Sequence, residues 1–230
     1  MLLLNGSVWF PATRAPRLLN DMEAHGADVV SEQIFGEALI AGGAARRKFP
    51  ILGSYMMMFK KAALQHPAFL KFWSGYKMNS NKEITLRRGE RGLSDALFMS
   101  GLNCSGVYSQ AKFEAAVRHL DGSALSRCLE DLVILDPARR GQRKRLLECG
   151  TGEDMRNMIV DVSKSKNFLG SSPWLSVSAI GVEVVKKNNE MLYRLARRNL
   201  AEWAAGDAEA PFDAVVREEL LVSSPLFRCH

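Results

Sequence analysis

Residues 79–102 read NSNKEITLRRGERGLSDALFMSGL, and they follow closely on residues 49–64, FPILGSYMMMFKKAAL. In the first stretch Leu93, Leu97 and Phe98 recur at helical spacing, while arginines and an aspartate occupy the other side. Such a pattern predicts an amphipathic helix that packs one face on a core. The fold should therefore be organised around this helix and the apolar run before it.

Local signals set the bounds of these two elements. Ser80 or Asn81 can cap the start of the helix, and Gly101 can end it. The apolar run predicts a strand over Leu52–Phe59, in which three adjacent methionines are typical of a tolerant core. Strand alternation places Tyr55, Met57 and Phe59 on one face of it and Ser54, Met56 and Met58 on the other.

Glu90 is the candidate for acid–base chemistry. It stands among Arg87, Arg88 and Arg91, beside the flexible Gly89. A carboxylate held ionised in such a cluster can act next to an anionic substrate. The same composition is typical of a solvated helix face with local ion pairs, so both interpretations stand at this point.

A family resemblance is carried by residues 53–73, GSYMMMFKKAALQHPAFLKFW, and residues 82–102, KEITLRRGERGLSDALFMSGL. Together with LLLNGSVWFPATRAPRLLNDMEAHGADVV at 2–30, they resemble the rhamnan synthesis F family of glycosyltransferase-like proteins, which is associated with bacterial cell-surface polysaccharide assembly. The resemblance covers 2–102 well and the remainder weakly. The matching positions are Ser54, Tyr55, Phe69, Phe72, Trp73, Glu90, Gly92, Leu93, Ser94 and Gly101.

The resemblance implies a fold and an activity. The fold is α/β, with a GT-A-like partial parallel or mixed sheet flanked by helices over 1–107 and a mainly helical region over 108–230. The family's N-terminal nucleotide-binding half is not in this sequence. The activity is transfer of a sugar, rhamnose by analogy, from a nucleotide-sugar such as dTDP-rhamnose to a glycan acceptor in rhamnan or O-antigen synthesis. The alternative is a noncatalytic, degenerate or truncated relative that binds a glycan or a partner transferase.

The resemblance also assigns roles to residues. Glu90 would be the base that takes the acceptor's proton, and Arg87 or Arg88 would neutralise the departing diphosphate. Ser54 and Tyr55 would contact substrate, although a Tyr at this place is also typical of a buried side chain with a satisfied hydroxyl.

Asn5, Gly6 and Ser7 directly follow the first predicted strand, where α/β proteins place ligand sites. Asn5 and Ser7 are candidate substrate-binding residues, and a turn joining strand to helix explains them equally. The family's usual Asp is replaced by Gly6, so Mn²⁺ or Mg²⁺ is expected with the nucleotide-sugar only by analogy, and no metal ligand is identified.

Length, composition and net charge limit the class of protein to which this chain can belong. The chain has 230 residues, 47% hydrophobic and 24% charged, a formal charge of +6 and a pI near 9.2. This composition predicts a globular protein and favours anionic partners. Four scattered cysteines indicate neither a disulfide framework nor a zinc site, and with no long apolar run the expected location is the cytoplasm, peripheral to the inner membrane at most.

A basic run, DPARRGQRKR at 136–145, lies in the C-terminal region. It can be a solvated helix start, or it can dock on anionic lipid or on the phosphate of a lipid-linked glycan acceptor. Nucleic acid, a third hypothesis drawn from charge alone, is not expected as a partner, because only Tyr108 and Phe113 supply stacking surface nearby.

The remaining elements follow from periodicity and turn residues. Leu2–Leu4 predicts a buried strand of a parallel sheet. Phe69, Phe72 and Trp73 are expected to seal their helix onto the sheet. Further predicted elements are a helix from Pro11 or Pro16 to about His25, a strand at 27–30, a loop with a basic cluster at 46–48, and helices at 110–120, 123–132, 141–148, 152–162 and 182–205.

Overall fold

The computed structural model describes residues 1–4, 6, 8–10, 15–36, 49–165, 168–187, 190–206 and 212–223. It is a mixed α/β protein, and its described residues divide into two compact units. Unit 1 comprises residues 1–6 and 17–109, and unit 2 comprises residues 7–16 and 110–230.

Unit 1 is built on a five-stranded mixed sheet. The strands are β1 (Leu2–Leu4), β3 (Val29–Phe35), β4 (Ile51–Leu52), β5 (Met56–Phe59) and β6 (Cys104–Ser109). The order is β1-β5-β3-β4, and β6 pairs with β3 as well. β6 runs parallel to β3, and the other pairings are antiparallel. β3 is therefore the central strand.

The described part of unit 1 contains five α-helices. They are α1 (Ala15–Ala24), α2 (Lys61–Gln65), α3 (Pro67–Gly75), α4 (Lys82–Leu86) and α5 (Gly92–Met99). Val29, Met57 and Phe59 of the sheet pack with Phe69 and Leu97 of the helices in one buried cluster. The amphipathic stripe predicted for α5 and the buried methionines are thereby confirmed.

The helix predicted over 79–102 is present as three consecutive segments. Asn81 caps α4 through its side chain, as predicted, and accepts from the amides of Glu83 and Ile84. A π-helical turn, Arg87–Arg91, then leads into α5. Gly101 follows with a φ of +80°, which favours glycine and ends the helix.

Two strand predictions need correction. Leu2–Leu4 is a strand, but it lies at the end of the described strand order and pairs antiparallel with β5, with Leu4 60% exposed. An apolar run of three residues does not distinguish a covered strand from an edge strand. The strand predicted over 52–59 is interrupted between β4 and β5, and the strand predicted at 27–30 continues as β3 to Phe35.

Unit 2 is mainly helical. Its elements are β2 (Val8–Trp9), α6 (Gln110–Arg118), α7 (Gly122–Glu130), α8 (Pro137–Cys149), α9 (Gly152–Ser165), α10 (Phe168–Ser171), α11 (Pro173–Ser178), β7 (Val185–Lys186), α12 (Met191–Ala196), α13 (Arg198–Gly206) and α14 (Ala214–Ser223). The helices predicted at 110–120, 123–132, 141–148 and 152–162 are confirmed as α6 to α9, with shifted ends.

The long helix predicted over 182–205 is wrong. Val185 pairs antiparallel with Trp9 in a short two-stranded sheet, and two separate helices follow it. The cause is local composition, because β-branched Val182, Val184 and Val185 favour extended backbone. The apolar residues whose spacing suggested one helix belong in fact to β7 and to the two short helices α12 and α13.

Candidate functional site

A groove of about 240 Å³ opens on unit 1 between the sheet and the helical segments that follow it. Phe72, Trp73 and Tyr76 form one side, at and just beyond the end of α3. Ser54 and Glu90 contribute polar atoms to an otherwise mostly apolar lining. Concave apolar sites with a few converging polar groups are typical ligand sites.

Glu90 lies in the π-helical turn and reaches the β4–β5 segment. The Ser54 hydroxyl donates a hydrogen bond to Glu90 Oε1, across 36 residues of sequence. Both side chains are half-buried. π-helical turns insert one residue into a helix and occur often at functional sites, because they redirect side chains. Here the turn carries a carboxylate to the groove.

Ser94 ties the same turn to the sheet. Its buried hydroxyl donates to the Glu90 carbonyl oxygen at 2.7 Å and accepts from the Leu52 amide at 3.1 Å. The Leu52 amide comes from β4, and the Glu90 carbonyl belongs to the π-helical turn, so one side chain satisfies backbone groups of both. The position of Glu90 is thus fixed by its backbone as well as by its side chain.

The three aromatic rings that form one side of the groove pack against one another. The rings of Phe72 and Tyr76 stack with their centroids 5.6 Å apart, and Trp73 meets Tyr76 edge to face at 5.8 Å. Gly89 lies against this group, since a Cβ atom there would stand 3.2 Å from Tyr76 Oη. The glycine next to Glu90 therefore allows the aromatic side and the π-helical turn to approach closely.

Only some of the predicted site residues lie in the groove. Ser54 and Glu90 come together in the groove. Tyr55 is buried, with 8% of its surface exposed, and is not among the described groove residues. Arg87 and Arg88 are exposed and are likewise not among them. Asn5, Ser7 and the basic cluster at 46–48 lie outside the described residues.

The aromatic side corrects another expectation. Phe69 does seal α3 onto the sheet, with 7% exposure. Phe72 also packs against the same buried cluster, as predicted, and lines the groove in addition, whereas Trp73 lines the groove and remains 41% exposed. The aromatic spacing along α3, continued by Tyr76, is visible in the sequence, but spacing alone does not say which rings face solvent.

A carboxyl group that sequence reasoning missed lies behind the groove. Glu32 of β3 is fully buried, and its Oε2 accepts from the Met56 amide at 2.9 Å. Burial raises the pKa of Glu32 to about 8. Its other oxygen, Oε1, has no hydrogen-bond partner of normal geometry in the described part of the chain.

Strand register explains why Glu32 is there. Ser31 pairs with Met57 and Ile34 pairs with Leu52, so three steps along β3 match five along its partner. Two extra residues therefore bulge out of the ladder beside Ser54. The Met56 amide, next to this insertion, bonds the Glu32 side chain. Gly53 leaves the necessary space, because a Cβ there would stand 2.1 Å from Glu32 Oε1.

Metal ligation finds no support in the described residues. Within these ranges, no group of three or more His, Cys, Asp or Glu side chains is placed to hold a metal ion. Gly6 offers no side-chain ligand. The Mn²⁺ or Mg²⁺ that the resemblance implies stays a prediction. In the same ranges, no helix is long and apolar enough to cross a bilayer.

The basic run of unit 2 forms most of α8, where Asp136 caps the helix and Pro137 opens it. No residue of this helix is fully buried. Arg143 donates from one guanidinium nitrogen to the carbonyls of Glu130 and Leu132, at 3.2 and 3.1 Å. Lys144 and Arg145 are exposed.

Comparisons with known proteins assign no family to this chain. No protein-family model, curated protein or solved structure matched it.

Proposed function

We propose that the groove of unit 1 binds a sugar, in a glycosyltransferase-like protein of bacterial cell-surface polysaccharide synthesis. The observation that carries the proposal is the pairing of Ser54 with Glu90 at the edge of an aromatic groove. Sugar rings present hydroxyl groups at their rim, which donate to carboxylates, and C–H faces, which pack on aromatic rings. The groove combines both kinds of surface.

Glu90 would serve as the base of the transfer. Its carboxylate accepts the proton of an acceptor hydroxyl while that oxygen attacks the anomeric carbon of the donor sugar and the nucleoside diphosphate departs. Ser54 bonds the carboxylate and Ser94 bonds the backbone carbonyl of the same residue, and a pre-positioned base avoids the entropic cost of ordering it during reaction. The donor is a nucleotide-sugar, with dTDP-rhamnose as the first choice, and the sheet would be a partial GT-A-like one.

The second candidate is a noncatalytic glycan-binding unit. The observation that favours it is the exposure of Arg87 and Arg88 outside the groove's described lining, because a transferase needs cations beside the departing diphosphate. In this reading Glu90 and Ser54 only bind hydroxyl groups.

The partners follow from the same proposal. The acceptor would be a lipid-linked glycan, met at the cytoplasmic side of the inner membrane, where nucleotide-sugars are available. The exposed cations Lys144 and Arg145 of α8 are candidates for peripheral contact with anionic lipid. Neither a metal step nor nucleic acid enters the proposal.

Calorimetric titration tests the proposal. The chain is titrated with methyl α-L-rhamnoside and with dTDP-rhamnose, with and without Mn²⁺. Binding should be lost in Glu90→Gln/Ser54→Ala and retained in Glu83→Gln, a matched control on exposed α4. Binding of the nucleotide-sugar followed by sugar transfer supports the transferase, whereas binding of the rhamnoside alone supports the second candidate. No binding of either compound by the wild-type chain would overturn both.

A further inference from the structure

We infer that Glu32 is a positioning residue, which holds the interruption between β4 and β5 in the conformation that presents Ser54 to Glu90. The inference rests on the proposed sugar site for its functional meaning. Its structural part concerns β3, where Glu32 is fully buried and is not among the described groove residues.

The first step is the position of the carboxyl group. Two residues are inserted relative to β3, so the regular ladder fails between Leu52 and Met56. On the near side, the Gly53 amide still donates to the Gln33 carbonyl at 2.9 Å. On the far side, the Met56 amide donates to Glu32 Oε2. The side chain thus substitutes for a missing backbone acceptor.

The second step is the cost of this arrangement. A fully buried carboxyl group is expensive unless it is neutral or fully bonded, and Glu32 Oε1 lacks a partner of normal geometry in the described ranges. The raised pKa, about 8, indicates that the group is mostly protonated at neutral pH. Gly53 adds a conformational cost, because glycine loses the most backbone freedom on folding. A backbone conformation with these energetic costs is consistent with a functional role for the segment between β4 and β5.

The third step connects the segment to the groove. Ser54 follows Gly53 directly, and its hydroxyl donates to Glu90. Ser54 therefore stands within a segment bonded at both ends to the Gln33–Glu32 pair of β3. If the far attachment is released, Ser54 loses its fixed direction, and the Glu90 carboxylate loses its donor.

The direct test uses nuclear magnetic resonance on the unaltered chain. A scalar coupling across the hydrogen bond should connect the Met56 amide nitrogen to the Glu32 carboxyl carbon, and the Met56 amide should exchange slowly with solvent. An absent coupling together with fast exchange would overturn the inference, whether or not any variant folds.

Variants test the consequence at Glu90. In Glu32→Ala, the Ser54 amide and the Glu90 carboxyl carbon should change their chemical shifts as they do in Ser54→Ala, and rhamnoside binding should weaken about tenfold. Glu32→Gln keeps an acceptor oxygen for the Met56 amide and should restore both. A merely structural Glu32 would leave the Glu90 resonance unchanged in a folded Glu32→Ala chain, which would overturn the inference.

The two proposals fail separately. If the wild-type chain binds no sugar while the coupling and the Glu90 shift appear, the proposed function fails and the positioning role stands. If sugar binds normally to Glu32→Ala with an unchanged Glu90 resonance, the positioning role fails and the proposed function stands.

Discussion

The stretch 87–91 of unit 1, which carries Glu90 to the groove, and helix α8 of unit 2 are both rich in charged side chains, and the sequence made both candidates for binding. In the groove, Glu90 is half-buried, bonded by Ser54 and flanked by aromatic rings. In α8, Lys144 and Arg145 are exposed, Arg143 is engaged with backbone carbonyls, and no residue is fully buried. Charge therefore marks a site only where packing gives it a fixed direction and an apolar surface beside it.

The largest expected effect is on stability and concerns Glu32, the buried carboxyl group behind the groove, which has no counterpart among the residues of α8. Burial raises the pKa of Glu32 from 4.5 to about 8, so the folded chain holds a proton that the unfolded chain releases between these values. Raising the pH from 5 to 8 should thus lower the wild type's free energy of unfolding, relative to Glu32→Gln, by on the order of 3 kcal/mol. Urea denaturation followed by circular dichroism measures it.

The control for this experiment is Glu83→Gln on α4, where the carboxylate is exposed. Its stability curve should run parallel to that of the wild type across the same pH range. A constant difference between the wild type and Glu32→Gln from pH 5 to pH 8 would show that Glu32 does not titrate as a buried group.

The next effect is on sugar binding. Replacing Glu90 by Ala removes the groove's carboxylate, and a lost charge-assisted hydrogen bond costs about 1.5–3 kcal/mol, so binding should weaken at least tenfold. Replacing Lys144 and Arg145 of α8 by Gln should leave the same dissociation constant within about twofold, because surface charges contribute little. Equal losses in the two variants would mean that general electrostatics, not the groove, holds the sugar.

A pair of glycines sharpens the contrast at smaller energies. An added methyl group at Gly89 would stand 3.2 Å from Tyr76 Oη, whereas one at Gly141 in α8 would meet nothing within 4 Å. Gly89→Ala should displace Tyr76 and weaken sugar binding several-fold. Gly141→Ala should raise the stability of the chain by about 0.5–1 kcal/mol, since alanine favours a helix interior. Calorimetry measures sugar binding by Gly89→Ala, and thermal denaturation measures the stability of Gly141→Ala. Unweakened binding in the first variant, or a lowered stability in the second, would contradict the packing argument.

Much of the fold could be predicted from local signals in the sequence. The cap at Asn81 and the helix end at Gly101 depend on neighbouring residues alone. The helix periodicity of α6 to α9 is similarly local. The α/β class was expected from the family resemblance, and the mixed sheet flanked by helices agrees with it.

The errors and omissions have a common physical cause. The two-residue insertion between β4 and β5 is a property of strand register, and the Glu32–Met56 bond joins residues 24 positions apart. Leu4 could not be recognised as exposed, because exposure of a strand depends on what covers it. Ser54 and Glu90 were found together only because a family resemblance named both; spacing did not predict their contact.

An effect of similar size lies within α8 and shows whether one of its cations stabilises the fold. Arg143 donates to two backbone carbonyls at the end of α7 and in the segment after it, and partial burial lowers its pKa from the usual value. Arg143→Gln should therefore destabilise unit 2 by about 1 kcal/mol, since two acceptors lose their donor. Arg145→Gln, on the exposed side, should change stability by less than about 0.5 kcal/mol. Hydrogen exchange of α7 amides measures this difference within unit 2. Equal protection of the α7 amides from exchange in both variants would show that Arg143 contributes no more to stability than its exposed neighbour Arg145.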